Sequence, residues 1–400
     1  MKKKLRSLSI LLVLTLLLGI LTGCGGGNDS ADSDGAGDQA EAALTYDDLM
    51  GMEWSEIEEA AKAEGEVTFT VWYNEAGYTE LLKLFTDKYG IKVNMVISDE
   101  EAVVQKALAE KDGAVGTLDV AVVPNTVKTL LDAKIMYGPI MDKIENSDLL
   151  DPGLSQYQEG VDHQGYVVPF YLNQTGFLYN SNKLSEADLP QTWEDLNAYI
   201  QANPMKFGIC VPEKGGSGQA FTMLAIQEIT GGLEQYYGDI EADESKTASW
   251  EDVWAWFNEN EDKITFTTSN NDSISRLNQG ELDLIVAWTD DTAVARAAGE
   301  LGDQAVMYIP EMGTAGGGDT LGVFANAENK AAAMLLVNWL LSNEAQEAAT
   351  SLLNVIPART DISAPDTGLT AEDMSHRTSW VPVAYKTKFI QDFTTYVLGQ

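Results

Sequence analysis

The chain has 400 residues, with 25 Lys+Arg against 62 Asp+Glu, a formal net charge of −37 and two histidines. At 44% hydrophobic and 22% charged it has the make-up of a globular protein, long enough for two domains or one large folded unit. So acidic a chain is a poor partner for nucleic acid, whose phosphates need Lys and Arg to displace counterions, and two histidines exclude His-rich zinc sites.

Residues 1–23 open with Lys2, Lys3, Lys4 and Arg6, followed by an uncharged, mostly apolar run from Leu8 to Ile20. That run is short for a membrane span and suits the core of a signal peptide. It ends in Leu21-Thr22-Gly23-Cys24, which resembles the lipobox of bacterial lipoproteins. The resemblance implies cleavage before Cys24 and lipidation of that residue. Residues 24–45 are rich in Gly, Ser, Asp and Ala, with little to bury, and read as a flexible tether.

The folded body then alternates helices and strands. Thr45, with Asp48 three residues on, predicts a helix from Tyr46 that Gly65 breaks. Val67–Tyr73 and Ile91–Ile97 read as strands, separated by a helix over Thr79–Tyr89. A helix over Glu100–Lys111, an apolar strand over Leu118–Val123 and a helix after Asn125-Thr126 complete a parallel β/α series. Tyr166–Asn180 is a long extended segment carrying Pro169, suited to cross between lobes. Thr192 and Asp195 form a second capping box, and Lys206–Val211 is a strand followed by a helix over Ser217–Thr230. Further expectations are helices at Trp250–Asn260, Thr292–Gly299 and Asn329–Leu341, and strands at Ile264–Thr267, Leu282–Trp288, Ala305–Ile309 and Leu321–Ala325. Gly313–Gly318 reads as a loop that lets backbone approach something closely.

No catalytic constellation emerges. A phosphate-binding GxxxxGK[ST], a GxGxxG after a strand and a GxSxG elbow are all missing from the sequence. Cys210 ends an apolar strand and reads as a buried, inert thiol. The residues placed for binding lie at strand ends and in loops, where α/β folds put ligands. They are Trp72, Tyr73, Asn74 and Glu75; Tyr171, Asn173, Gln174 and Thr175; Ser217 in its glycine-rich turn; Trp288, Asp290 and Asp291; and Asp319. Each has a plainer reading. Trp72 and Trp288 also suit the core, Ser217 suits a helix N-cap, and Asp290 or Asp291 suits the first turn of a helix.

The order and spacing of these segments resemble the extracellular solute-binding proteins of ABC importers, specifically the branch of polyamine-, thiamine- and iron-binding receptors. The stretches that carry the resemblance include WSEIEEAAKAEGEVTFTVWYNE, VPFYLNQTGFLYN, LNQGELDLIVAWTDDTAVARAAG and DTLGVFANAENKAAAMLLVNWLLSNEAQ. It spans roughly residues 50–360. The implied fold is α/β, two α/β lobes joined by crossing strands with a ligand cleft between them, of the type II periplasmic-binding-protein kind. The implied boundaries are 46–170 for the first part of lobe 1, 171–288 for lobe 2, 289–330 for the return to lobe 1, and 331–400 for an unassigned helical segment. The implied function is capture of an extracellular solute and its delivery to membrane permease subunits, by an exported, lipid-anchored monomer without metal or cofactor. Trp288, Asp290 and Asp319 match the aromatic and acidic cleft of the polyamine receptors, whereas the glycine–serine turn at Gly215–Gln219 departs from it. A carbohydrate receptor, a secreted glycoside-processing enzyme and a surface adhesion or sensor module are the alternatives.

Overall fold

The computed structural model describes residues 44–399 apart from Gly153, Ser155, Pro365 and Asp366. The expectations for the signal peptide, for most of the tether and for Cys24 lie outside the described residues. The strands are β1 (Glu66–Val71), β2 (Lys92–Ile97), β3 (Val120–Val122), β4 (Tyr157–Gln158), β5 (Val161–Asp162), β6 (Val167–Asn180), β7 (Phe207–Cys210), β8 (Ile264–Thr267), β9 (Leu284–Trp288), β10 (Ala305–Tyr308), β11 (Thr314–Val323), β12 (Ile356–Pro357) and β13 (Arg377–Ser379). Apart from the β4–β5 hairpin they form one mixed sheet, in the order β2-β1-β3-β11-β6-β9-β7-β8 along its main path.

Two parallel blocks flank an antiparallel centre. β1 runs parallel to β2 and β3, and β7 runs parallel to β8 and β9. β6 and β11 join the blocks. The first part of β6 pairs with β11, from Val167 opposite Gly322 to Gln174 opposite Gly316. Its remainder, from Thr175 opposite Trp288 to Tyr179 opposite Leu284, pairs with β9. Fourteen residues, mostly with β-branched, leucine, aromatic and amide side chains and almost all buried, suit a strand covered on both faces. Pro169, with no N–H to donate, falls where the register shifts between Asp319 and Thr320, a place where a ladder tolerates proline.

Each block has its own core. Phe69, Phe85, Phe170 and Trp339 belong to one cluster, with the Lys330–Leu340 helix buried on nearly every side. Phe207, Phe221, Trp250 and Phe257 belong to the other. Asp119, 2% exposed, stitches the first block together. It accepts from the Thr68 N–H at 2.8 Å, the Asn329 N–H at 3.0 Å and Asn329 Nδ2 at 3.1 Å.

Several expectations change. The first helix is two helices, Tyr46–Gly51 and Trp54–Glu64: Met52 is extended, and Glu53 with Glu56 forms a fresh capping box. A helix over Asn270–Asn278, capped by Ser269, was not anticipated, because Ile274 and Leu277 are its only apolar residues of any size. Gly313–Gly318 is not a loop: from Thr314 onwards it is the start of β11. The chain does not return to the first block at residue 289. The Thr289–Ala297 helix and β10 stay with the second block, where Ala295, Leu301, Ala305 and Met307 pack on Leu178 and Ile285. β11 makes the return. The C-terminal segment divides. Lys330–Leu340 and Asn343–Leu353 join the first core, whereas the Val383–Tyr396 helix sends Tyr385, Phe389 and Phe393 into the second.

Candidate functional site

A cleft of about 470 Å³ opens where the two blocks meet. Its walls come from the carboxyl ends of parallel strands, the usual ligand position in an open α/β sheet. Trp72 follows β1 and Asn125 follows β3; Gly216 follows β7, Asn270 follows β8, and Trp288 ends β9 with Asp290 and Asp291 just beyond. The crossing strands supply Asn173 from β6 and Gly317, Gly318 and Asp319 from β11. Glu159 arrives on the β4–β5 turn, and Trp380 and Lys386 arrive from the C-terminal segment.

Aromatic rings form one wall. Trp288 and Trp380 lie nearly parallel, with ring centroids 5.9 Å apart and planes 17° from coplanar. Two glycines make room for them. A Cβ at Gly216 would stand 2.8 Å from Trp288 Nε1, and one at Gly317 would stand 3.0 Å from Trp380 Nε1. Trp72 is 46% exposed, so its indole is open to a visitor.

Four carboxylates share the cleft. Asp290 and Asp291 sit in the first turn of the Thr289–Ala297 helix, where the backbone dipole favours negative charge. Asp290 Oδ2 accepts from Asn173 Nδ2 at 3.3 Å, while Asp290 Oδ1 and Asn173 Oδ1 are buried without a hydrogen-bond partner. Burial, with Asp291 adjacent, pushes the Asp290 pKa up to about 6. Asp291 accepts from Asn270 Nδ2 at 2.9 Å, and Asn270 Oδ1 in turn accepts from Ser217 Oγ at 2.8 Å. Burial raises Asp291 against that hydrogen bond. Asp319 is 7% exposed and accepts from the Tyr171 hydroxyl, which is also hydrogen-bonded to the Tyr73 hydroxyl. Burial outweighs the Tyr171 bond and raises Asp319 to about 7. Glu159 is likewise raised to about 7 by burial, against the pull of Lys386.

Of the residues expected at the site, Trp72, Asn173, Trp288, Asp290, Asp291 and Asp319 line the cleft. Tyr73 and Tyr171 stand behind Asp319 rather than in the wall. The other five do not line it. Asn74 caps the Glu75–Tyr89 helix, accepting from the Gly77 N–H at 3.2 Å, and Glu75 points to solvent in that helix's first turn. Gln174 and Thr175 are buried between β6 and β11. Gln174 Nε2 donates to the Thr314 carbonyl at 3.1 Å, and Thr175 Oγ1 donates to the Ala315 carbonyl at 2.6 Å. Ser217 is buried behind Asn270, and the N-cap of its helix is Gly215 instead. Asn125, Glu159, Asn270, Trp380 and Lys386 were missed. The strand-end rule could have found Asn125 and Asn270; no local signal marks the other three. Cys210 is buried and free, its thiol pushed up to about 12 by burial. Tyr236 is enclosed in the second core, accepting from Trp250 Nε1 at 2.9 Å.

An extracellular solute-binding protein from Bordetella parapertussis shares the fold with a TM-score of 0.66 at 15% identity, over 84% of this chain and 99% of its own. An ABC transporter structure from Clostridium perfringens gives 0.62 at 18% identity, over 82% and 98%. The spermidine/putrescine ABC transporter substrate-binding protein from Streptococcus pneumoniae gives 0.62 at 16% identity, over 83% and 99%. These likenesses carry the type II periplasmic-binding-protein fold. No curated protein matches the sequence. Residues 80–375 match the profile of the bacterial extracellular solute-binding proteins, and the chain belongs to that family.

Proposed function

We propose that the protein is the receptor of an ABC importer, held on the outer face of the cell membrane by a lipidated Cys24, and that it captures a small organic cation, an amine related to the polyamines. Two lobes meeting along β6 and β11 would close over the solute by hinge bending. One observation carries the choice of a cation. The cleft brings four carboxylates and two buried, unpartnered acceptor oxygens, Asp290 Oδ1 and Asn173 Oδ1, against a single lysine. A buried acceptor without a donor is costly, and an ammonium group supplies that donor with charge. The Trp72 and Trp288 faces favour the same guest through cation–π attraction. The stacked indoles and the side-chain amides of Asn173, Gln219 and Asn270 would also suit a sugar ring, which makes a carbohydrate the second reading.

A thermal-unfolding panel on the purified protein separates the two. It sets alkyl amines, amino alcohols, polyamines and thiamine beside maltose- and xylose-type oligosaccharides. A ligand at about 100 times its dissociation constant stabilises by about 2.7 kcal/mol, a shift of a few degrees. The expected result is a shift with an amine that disappears in Asp290→Asn. A shift with sugars alone overturns the cation reading.

A further inference from the structure

Lys386 is the only cation among the described residues that line the cleft. It sits in a built position. The Val383–Tyr396 helix that carries it is anchored in the second core through Tyr385, Phe389 and Phe393. From there the side chain crosses to the first block. Its Nζ is 2.6 Å from Asn125 Oδ1 and 3.4 Å from both Glu159 carboxylate oxygens, and it lies 5.1 Å from the Trp380 ring centroid. Asn125 is itself fixed, its N–H and Nδ2 each donating to Glu100 at 2.8 Å. The Lys386 and Glu159 side chains are 16% and 11% exposed, so bulk water screens the pair little.

An indole face with amide and carboxylate oxygens in hydrogen-bond range is the setting that a ligand ammonium group seeks. Here the chain supplies that ammonium itself. The other carboxylates have no such partner. Asp291 and Asp319 are hydrogen-bonded by neutral groups, Asn270 and Tyr171, and Asp290 keeps one oxygen bare.

We propose that Lys386 is a specificity residue that fills one of the cleft's two ammonium positions, so that the solute presents one cationic end to Asp290 and Asn173 and a neutral or carboxylate end to Lys386. This deepens the organic-cation reading and rests on it. The favoured class is the ω-amino alcohols and ω-amino acids. The α,ω-diamines are disfavoured, because their second ammonium meets a like charge in a poorly screened place.

The test is calorimetric titration of a matched series: putrescine, 4-aminobutan-1-ol and 4-aminobutyrate, with their five-carbon analogues. The proteins are the wild type, Lys386→Met and Lys386→Arg. The wild type is expected to bind an amino alcohol or amino acid at least tenfold more tightly than the matching diamine. Lys386→Met should reverse that order, and Lys386→Arg should keep it. Should Lys386→Met fail to fold, Lys386→Gln, which removes the charge and keeps a polar side chain beside Asn125, takes its place with the same expected reversal. A diamine bound tightest by the wild type, or the same order in Lys386→Met, overturns the selector and leaves the cation reading standing. No binding of any member to the wild type or to Lys386→Met overturns both.

Discussion

Asp319 is the cleft carboxylate that reports on itself most directly. It is buried, raised to about 7, and held by one hydroxyl. Its ordinary value is about 3.9 in an unfolded chain, so between the two values the folded protein holds the proton and the unfolded chain does not. The stability conferred is complete below about pH 4 and is lost as pH rises through about 7. Thermal midpoints of the wild type should therefore fall from pH 5 to pH 8, and Asp319→Asn should fall less over the same window. General repulsion within a chain of net charge −37 acts in the same direction on both proteins, so the difference between the curves isolates Asp319. Parallel curves would mean that this carboxyl ionises at an ordinary pH.

The pairing of β6 with β11 depends on glycine at one point above all. A Cβ on Gly318 would stand 2.3 Å from the Tyr171 carbonyl oxygen, a backbone atom that cannot swing away. Gly318→Ala should cost about 1–3 kcal/mol in urea unfolding, the usual penalty for overpacking. Gly317→Ala, one residue earlier, would meet only the Trp380 side chain at 3.0 Å, and should cost less while moving Trp380 from its place beside Trp288. Equal losses in the two variants would refute this account of the strand pair. The same element shows where sequence reasoning stopped. The capping boxes of Thr45 with Asp48 and Thr192 with Asp195, and the strands β1, β2 and β6, were legible because their signals are local. The first part of β11 was not, although its end was expected as the strand from Leu321, because three consecutive glycines have poor strand propensity and are ordered only by a partner strand distant in sequence. Trp72, Trp288, Asp290 and Asp291 were legible by the strand-end rule, which was open to Asn125 and Asn270 as well but was not carried to them. Trp380 and Lys386 were not, since only packing of the last helix against Trp250 and Phe257 brings them to the cleft.

At the scale of the whole molecule the charge is as much a property of the receptor as the cleft is. The excess of Asp and Glu spreads over the surface, while the cleft has its own four carboxylates and one lysine. Such a chain surrounds itself with a negative potential that draws cations towards it before any contact forms. The range of that pull is set by salt, about 30 Å at 0.01 M and about 8 Å at 0.15 M. Stopped-flow association of an amine, read through the fluorescence of the cleft indoles, should therefore slow about tenfold or more from 0.01 M to 0.3 M salt. The dissociation rate should change much less, because the groups that hold the guest are largely buried and feel little screening. A sugar ligand has no charge to steer, and its association rate would be flat across the same range. A flat association rate with a bound amine would confine the electrostatics to Asp290 and its neighbours. It would leave the remaining acidic surface with solubility as its only role.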